Sequence, residues 1–252
     1  MVEQLTTIYI LRRLEDAGGR AFSAQEFARL FRLEGGRAHQ VLYRLEKRGI
    51  LRRFKRGRYV VLGPGGREVL GQAFFLGTRL VEPSYVSFWS ALHYYGWTEQ
   101  APRVVSVANT KRSAEARVET FSIRLVKLRT ARFFGYTTEA QGTYGFPIAE
   151  PEKAILDSLL LPSRSGGVEE AAKALAEASG GLRLERLESY AIQLKSETVV
   201  SRIGHLLAGV GIESKTLKPF GAKFYVRLDP SLARRGRYDS EWHVIDNLPG
   251  GG

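Results

Sequence analysis

No cysteine occurs among the 252 residues, so disulfides, Cys-based zinc sites and thiol nucleophiles are excluded. The same absence suits a cytoplasmic protein. Histidine is scarce: His39, His93, His205 and His243 are the four present, and no two stand at the HxxxH spacing that pairs metal ligands on one helix face. No Gly-x-Ser-x-Gly turn marks a hydrolase nucleophile. The glycine cluster Gly63-Pro64-Gly65-Gly66 meets neither the GxGxxG nor the Walker-type phosphate-binding spacing, and reads as a linker. No apolar run approaches the roughly 18 residues of a membrane span; the longest candidate, Tyr85 to Trp97, is shorter and contains His93. Nor does an N-terminal apolar run resemble a signal peptide. These absences lead to the expectation of a cytoplasmic, non-enzymatic protein with no cofactor, no metal and no membrane association.

Acidic residues are also in deficit, 26 against 38 Lys and Arg, giving a formal net charge of +12. Such a balance favours a polyanionic partner. The distribution is more telling than the total. Residues 1–62 hold 14 Lys and Arg against 6 Asp and Glu, a net +8, which leaves +4 for the remaining 190 residues. The basic character belongs mainly to the N-terminal part, as expected if that part binds phosphates.

What is present there has a definite pattern. Residues 3–16 read as a helix with Leu5, Ile8, Leu11 and Leu14 on its apolar side, stopped by Gly18-Gly19. Arg20-Ala21-Phe22 reads as a short strand. Ser23 followed by Glu26 is a capping-box signature, and Phe27, Leu30 and Phe31 form the inner side of the helix it opens. After Gly35-Gly36, Ala38, Val41, Leu42 and Leu45 recur at i, i+3, i+4 and i+7, so a second helix has one inward face. Its outward face carries Arg37, Gln40, Tyr43, Arg44 and Lys47, and Gly49 follows as a left-handed cap. Ile50-Leu51 and Tyr59 to Leu62 read as strands joined through Arg56-Gly57, with Arg52, Arg53, Lys55, Arg56 and Arg58 on the hairpin.

Helix, turn, helix and cationic hairpin together are the pattern of a winged helix-turn-helix that lays one helix in the major groove of double-stranded DNA. Arg37, Gln40, Arg44 and Lys47, with Tyr43 beside them, are the expected base-facing set, because Arg and Gln make bidentate base contacts. Lys55, Arg56 and Arg58 on the wing are expected mostly on phosphates or in the minor groove, and Arg52 and Arg53 of the same hairpin complete the expected DNA-binding set. His39 lies on the same helix and is not assigned a contact.

The expected fold class is α+β: this winged domain over residues 1–62, a linker at 63–66, and a mixed α/β domain with a helical C-terminal part over 67–230. Residues 231–252 read as a loosely held tail. Within the second domain, helices are expected at Glu68 to Leu80, Ser84 to Tyr95, Val168 to Ala178, Leu184 to Lys195 and Glu197 to Val210. Strands are expected at Arg103 to Ala108, Val118 to Leu128, Phe133-Phe134, Thr143 to Ile148 and Lys223 to Leu228. Glu150-Pro151-Glu152-Lys153 opens a further helix, with proline at the first position. Glu150, Glu152, Lys153 and Asp157 read as N-terminal charges and a solvated helix face rather than as a nuclease-like cluster.

Past the linker, Tyr85-Val86-Ser87, Ala91-Leu92-His93 and Tyr95 to Gln100 resemble the AbiEi antitoxin family. Asn109-Thr110-Lys111-Arg112, Phe133-Phe134-Gly135 and Ala149 to Asp157 follow in that family's order of motifs. The resemblance runs from the winged helix to about residue 210. It implies a repressor that binds the operator of its own operon and antagonises a nucleotidyltransferase-like toxin, as in type IV toxin–antitoxin systems, where the two proteins need not form a stable complex. Two other readings are a winged-helix repressor that senses a small molecule near Trp89 and Trp97, and a DNA-processing enzyme using the carboxylates near Glu152.

Overall fold

A computed structural model describes residues 6–18, 20–62, 68–178 and 181–249. The fold is α+β, with three sheets among the described residues. The expected linker 63–66 lies outside them, as do the first residues of the expected opening helix.

The N-terminal part runs α1 (Thr7–Asp16), β1 (Ala21–Ser23), α2 (Ala24–Leu30), α3 (Gly35–Lys47), β2 (Leu51–Lys55) and β3 (Arg58–Val61), and its strands form an antiparallel sheet in the order β1-β3-β2. Ser23 and Glu26 make the reciprocal bonds of a capping box at the start of α2. Ala38, Val41, Leu42 and Leu45 of α3 are all buried. In α1 the inward residues are Ile10 and Leu14, while Ile8 is 73% exposed, so the inner face is rotated from the one expected. Gly35 and Gly36 belong to the first turn of α3 rather than to the turn before it. The left-handed residue of that turn is Arg32, at φ 50.

A six-stranded mixed sheet forms the centre, ordered β6-β7-β5-β4-β9-β8, from β4 (Ser84–Val86), β5 (Val104–Asn109), β6 (Ala114–Val118), β7 (Phe121–Lys127), β8 (Tyr136–Gln141) and β9 (Tyr144–Ala149). Its inner strands β5 and β4 are buried on both sides, which accounts for the apolar run in β5, while the edge strands β6 and β8 are more exposed. Val107, Ile123 and Leu125 pack with α4 (Ala73–Thr78) and with Phe54 and Val60 of the N-terminal sheet. Ala108, Val126 and Ile148 pack with the helices that follow. The two parts of the chain therefore share a core. Arg20 adds a hydrogen bond to Thr143 (2.8 Å), and Arg52 an ion pair to Glu119 (3.3 Å).

Several expectations are corrected. The helix over Glu68 to Leu80 is a 3₁₀ turn, Glu68–Gly71, followed by α4. Ser84 to Val86 is a wholly buried strand, and the helix after it, α5, spans Trp89–Tyr94. Val118 ends β6, and a turn at Glu119 (φ 50) leads into β7. Phe133-Phe134 is not a strand; the strand lies just beyond it, in β8.

The C-terminal part carries α6 (Pro151–Leu160), α7 (Val168–Ala178), α8 (Leu184–Gln193) and α9 (Glu197–Gly209). Then come β10 (Val226–Arg227), β11 (Arg237–Asp239) and β12 (Val244–Asp246), ordered β10-β12-β11. The loosely held tail is also corrected, since Trp242, Val244 and Ile245 are buried. Gly204 of α9 explains the fit: a Cβ there would stand 2.3 Å from the Trp242 ring. His205 of the same helix meets Asp239 at 2.6 Å and Asp246 at 3.6 Å, fastening the small sheet to α9. No helix among the described residues is long and apolar enough to cross a membrane.

Candidate nucleic-acid interface

Burying Ala38, Val41, Leu42 and Leu45 forces the rest of α3 outward, because residues three and four apart share a face. Arg37, Gln40, Tyr43, Arg44 and Lys47 are all exposed. Tyr43 is 59% exposed, with the Lys47 ammonium 5.6 Å from its ring centre. His39 turns back, its Nδ1 lying 2.6 Å from the Gly35 carbonyl of its own helix. Glu34 at the N-cap gives no side-chain bond to the first turn. The amide groups of Gly35, Gly36 and Arg37 are thus available to an anion at the positive end of the helix. Sequence reasoning missed these donors because it placed both glycines before the helix.

The hairpin is shaped by a bulge. Strict alternation after Leu51 would turn Arg53 inward, but the register shifts between Arg53 and Lys55. Phe54 is buried instead, and Arg52, Arg53 and Lys55 stay outside. Gly57 closes the turn at φ 70.

The structure divides the five hairpin cations into two groups. Arg53, Lys55 and Arg56 are exposed and make no ion pair among the described residues. Arg52 and Arg58 already have carboxylate partners: Glu119 at 3.3 Å and Glu26 at 3.8 Å. Burial works to raise the Glu26 carboxyl, but hydrogen bonds from Ser23 and the charges of Arg58 and Arg29 outweigh it and hold the group below its ordinary value. Arg58 thus braces the capping box of α2, and Arg52 ties the hairpin root to the central sheet. The outward side of α3 thus exposes Arg37, Arg44 and Lys47, and the hairpin exposes Arg53, Lys55 and Arg56, with Glu34 and Glu46 the carboxylates of α3 and its N-cap.

A second ionisable cluster lies inside the protein. Glu152, Lys153 and Asp157 of α6 are 2%, 0% and 0% exposed, which overturns the expectation of a solvated helix face. Asp157 accepts hydrogen bonds from Lys153, from Tyr85 (3.0 Å) and from Ser87 (2.8 Å). The Lys153 ammonium lies 5.0 Å from the Phe134 ring centre and 5.5 Å from that of Tyr85. Burial lowers the Lys153 pKa, opposed by Asp157, and burial together with Asp157 pushes the Tyr85 phenol well up. Glu152 accepts from the Arg183 amide (2.9 Å), and Glu150 from Arg186 (3.1 Å) and Tyr190. Burial and Glu150 push the Tyr190 phenol up to about 12. The Glu152 Oε2 alone among them is buried without a hydrogen-bond partner among the described residues; the other groups satisfy one another and join β4, α6 and α8.

Trp89 and Trp97, the expected lining of a ligand pocket, are packed against protein. Trp89 donates to Thr98 (3.1 Å) and lies against Gly166, where an added Cβ would come within 3.2 Å of the indole. Trp97 packs on Tyr95, ring centres 5.0 Å apart.

By geometry the chain is an α+β protein with a small helical and stranded N-terminal part seated on a larger mixed-sheet body. The crystal structure of the RV2827C protein from Mycobacterium tuberculosis shares this arrangement, with a TM-score of 0.57 at 14% identity over 95% of this chain and 90% of that one. A scan against protein-family models finds no match, and a search of curated proteins finds none either.

Proposed function

We propose that the N-terminal part is a winged helix-turn-helix and that the protein is a sequence-specific repressor of its own operon. On this reading α3 enters the major groove and the β2–β3 hairpin is the wing. The observation that carries it is a helix buried on one face at Ala38, Val41, Leu42 and Leu45 and exposing Arg37, Gln40, Arg44 and Lys47 on the other, followed by a hairpin whose Arg53, Lys55 and Arg56 are exposed and unpaired among the described residues.

Arg44→Ala should cost roughly 1–3 kcal/mol at the operator and relax specificity at one base position. Footprinting and competition with random duplex check this, and equal loss on both sequences removes Arg44 from base reading. Changing Arg53, Lys55 and Arg56 together to Gln should flatten the plot of log K against log salt by about 0.9 for each phosphate no longer neutralised. An unchanged slope takes the wing out of the interface.

The resemblance to AbiEi antitoxins supports a further part of the reading: the body antagonises a nucleotidyltransferase-like toxin and performs no catalysis itself. Rescue of cells expressing the adjacent open reading frame tests this. The full chain should be used, because Phe54 and Val60 share a core with Phe75 and Ile123, and removing residues 1–62 would uncover that face. Rescue by the wing triple variant would separate antitoxin action from repression, whereas a harmless neighbour would end the antitoxin reading.

One feature favours the ligand-responsive alternative. A cleft of about 320 Å³ between α1, α2 and residues 79–82 has Leu14, Phe22, Phe27 and Leu30 among its lining, with Arg79 beside them. The Arg79 Nε makes no hydrogen bond among the described residues. A small molecule there would touch Glu26 and hence the base of α2.

A further inference from the structure

Five aromatic side chains are markedly exposed among the described residues, and three of them, Phe220, Phe224 and Tyr238, fall close together in the chain. Phe224 is 83% exposed. Neither the cationic surface of α3 nor the buried α6 cluster uses them. Tyr238 is held in place by Tyr225, ring centres 5.0 Å apart, and Tyr225 in turn by His243 at 5.5 Å, both edge-on. Tyr238 itself remains 57% exposed.

Cations are interleaved with these rings. Lys223 precedes Phe224, Arg237 precedes Tyr238, and Arg234 and Arg235 lead into β11. All four are exposed, and among the described residues none has an ion-pair partner. The neighbouring carboxylates are occupied: Asp239 and Asp246 by His205, Glu213 and Glu241 by Lys218. Asp229 is buried and accepts from the Val168 amide at 3.0 Å. Lys223, Arg234, Arg235 and Arg237 are thus left without a carboxylate partner among the described residues. Gly236 fixes the arginines on either side of it, because a Cβ there would stand 1.9 Å from the Asp246 carbonyl oxygen. The chain lies tight against β12 at that point.

We propose that this end of the C-terminal sheet, where the Tyr225–Tyr238 contact brings residues 223–225 beside β11, binds single-stranded nucleic acid, with unpaired bases stacking on Phe224 and Tyr238. Lys223, Arg234, Arg235 and Arg237 hold the phosphates. Open ring faces beside unpaired cations suit a strand whose bases are free to stack. A duplex keeps its bases stacked inside, and an acidic protein would need the cations but not the rings.

The test is fluorescence anisotropy of the full chain with labelled 20-mers of U and of dT, against a duplex of equal length. The double variant Phe224→Ala/Tyr238→Ala should weaken binding by about tenfold or more, while Tyr238→Phe keeps it. Both rings are largely exposed, so circular dichroism should show an unchanged fold. Changing Lys223, Arg234, Arg235 and Arg237 to Gln should flatten the salt dependence by about 0.7 for each phosphate no longer neutralised. The wing triple variant should bind the 20-mers as the parent does, which keeps this proposal independent of the repressor reading. Four results would each overturn it: no binding of either 20-mer, indifference to loss of the rings, equal ring dependence with the duplex, or loss of binding in the wing variant. Polyglutamate bound with the same ring dependence would also overturn it and make the face a site for an acidic protein.

Discussion

Asp157→Ala is expected to destabilise the protein by about 3–5 kcal/mol, the usual cost of breaking a buried ion pair by removing one partner. The substitution leaves the Lys153 ammonium with no exposure and no carboxylate, and removes the acceptor used by Tyr85 and Ser87. A domain's whole stability is about 5–15 kcal/mol, so urea unfolding should show a large fall in midpoint. Charge burial can be separated from packing. The double variant Lys153→Met/Asp157→Leu removes both charges at similar volume and should recover the part of the loss due to the stranded ammonium, while the buried Tyr85 and Ser87 hydroxyls still lack their acceptor. If the double variant is as unstable as the single, the unpaired hydroxyls and packing rather than the stranded charge govern this site. Glu115→Ala supplies the surface comparison: its pair with Arg124 has a carboxylate 74% exposed, and its loss should hardly move the midpoint.

Trp242→Ala should cost about 3–5 kcal/mol, as expected for emptying a large aromatic site. The ring is 3% exposed and seated on Gly204. The consequence reaches beyond the cavity, because Asp239 accepts hydrogen bonds from the Glu241 and Trp242 amides and also pairs with His205. Loss of the ring should therefore loosen the β10-β12-β11 sheet from α9. Hydrogen exchange would then show faster exchange at Val244 and Ile245 than at the α6 amides. Uniform exchange across both regions would mean that the small sheet is not a separate unit of stability.

The elements that were legible share a cause. α3 and α7 each carry an apolar stripe at helical spacing, and their inward residues are buried. The capping box of Ser23 and Glu26 and the turn at Gly57 rest on chemistry between near neighbours. Elements that were misread depend on partners far along the chain. Ser84 to Val86 becomes a strand because it pairs with β5 and β9 on either side. β6 and β8 gain their form from antiparallel neighbours, and neither shows a continuous apolar run. The outward set on α3 was readable from the same periodicity, but the engagement of Arg52 with Glu119 was not, since those residues stand 67 apart.

By itself the sequence determined the cationic N-terminal helix pair, its hairpin and the helical character of much of the C-terminal half. Those follow from periodicity, caps and turn residues, which act over a few positions. Only the tertiary structure decided that Lys153 and Asp157 are interior and that the final residues form a sheet on α9. A lysine and a carboxylate four apart look alike on a solvated helix and in a core. What separates them here is the phenol of Tyr85 in β4 and the hydroxyl of Ser87 just after it, brought to α6 to satisfy the pair. In the same way, the glycine that admits Trp242 becomes informative only once α9 and the last strands are packed together.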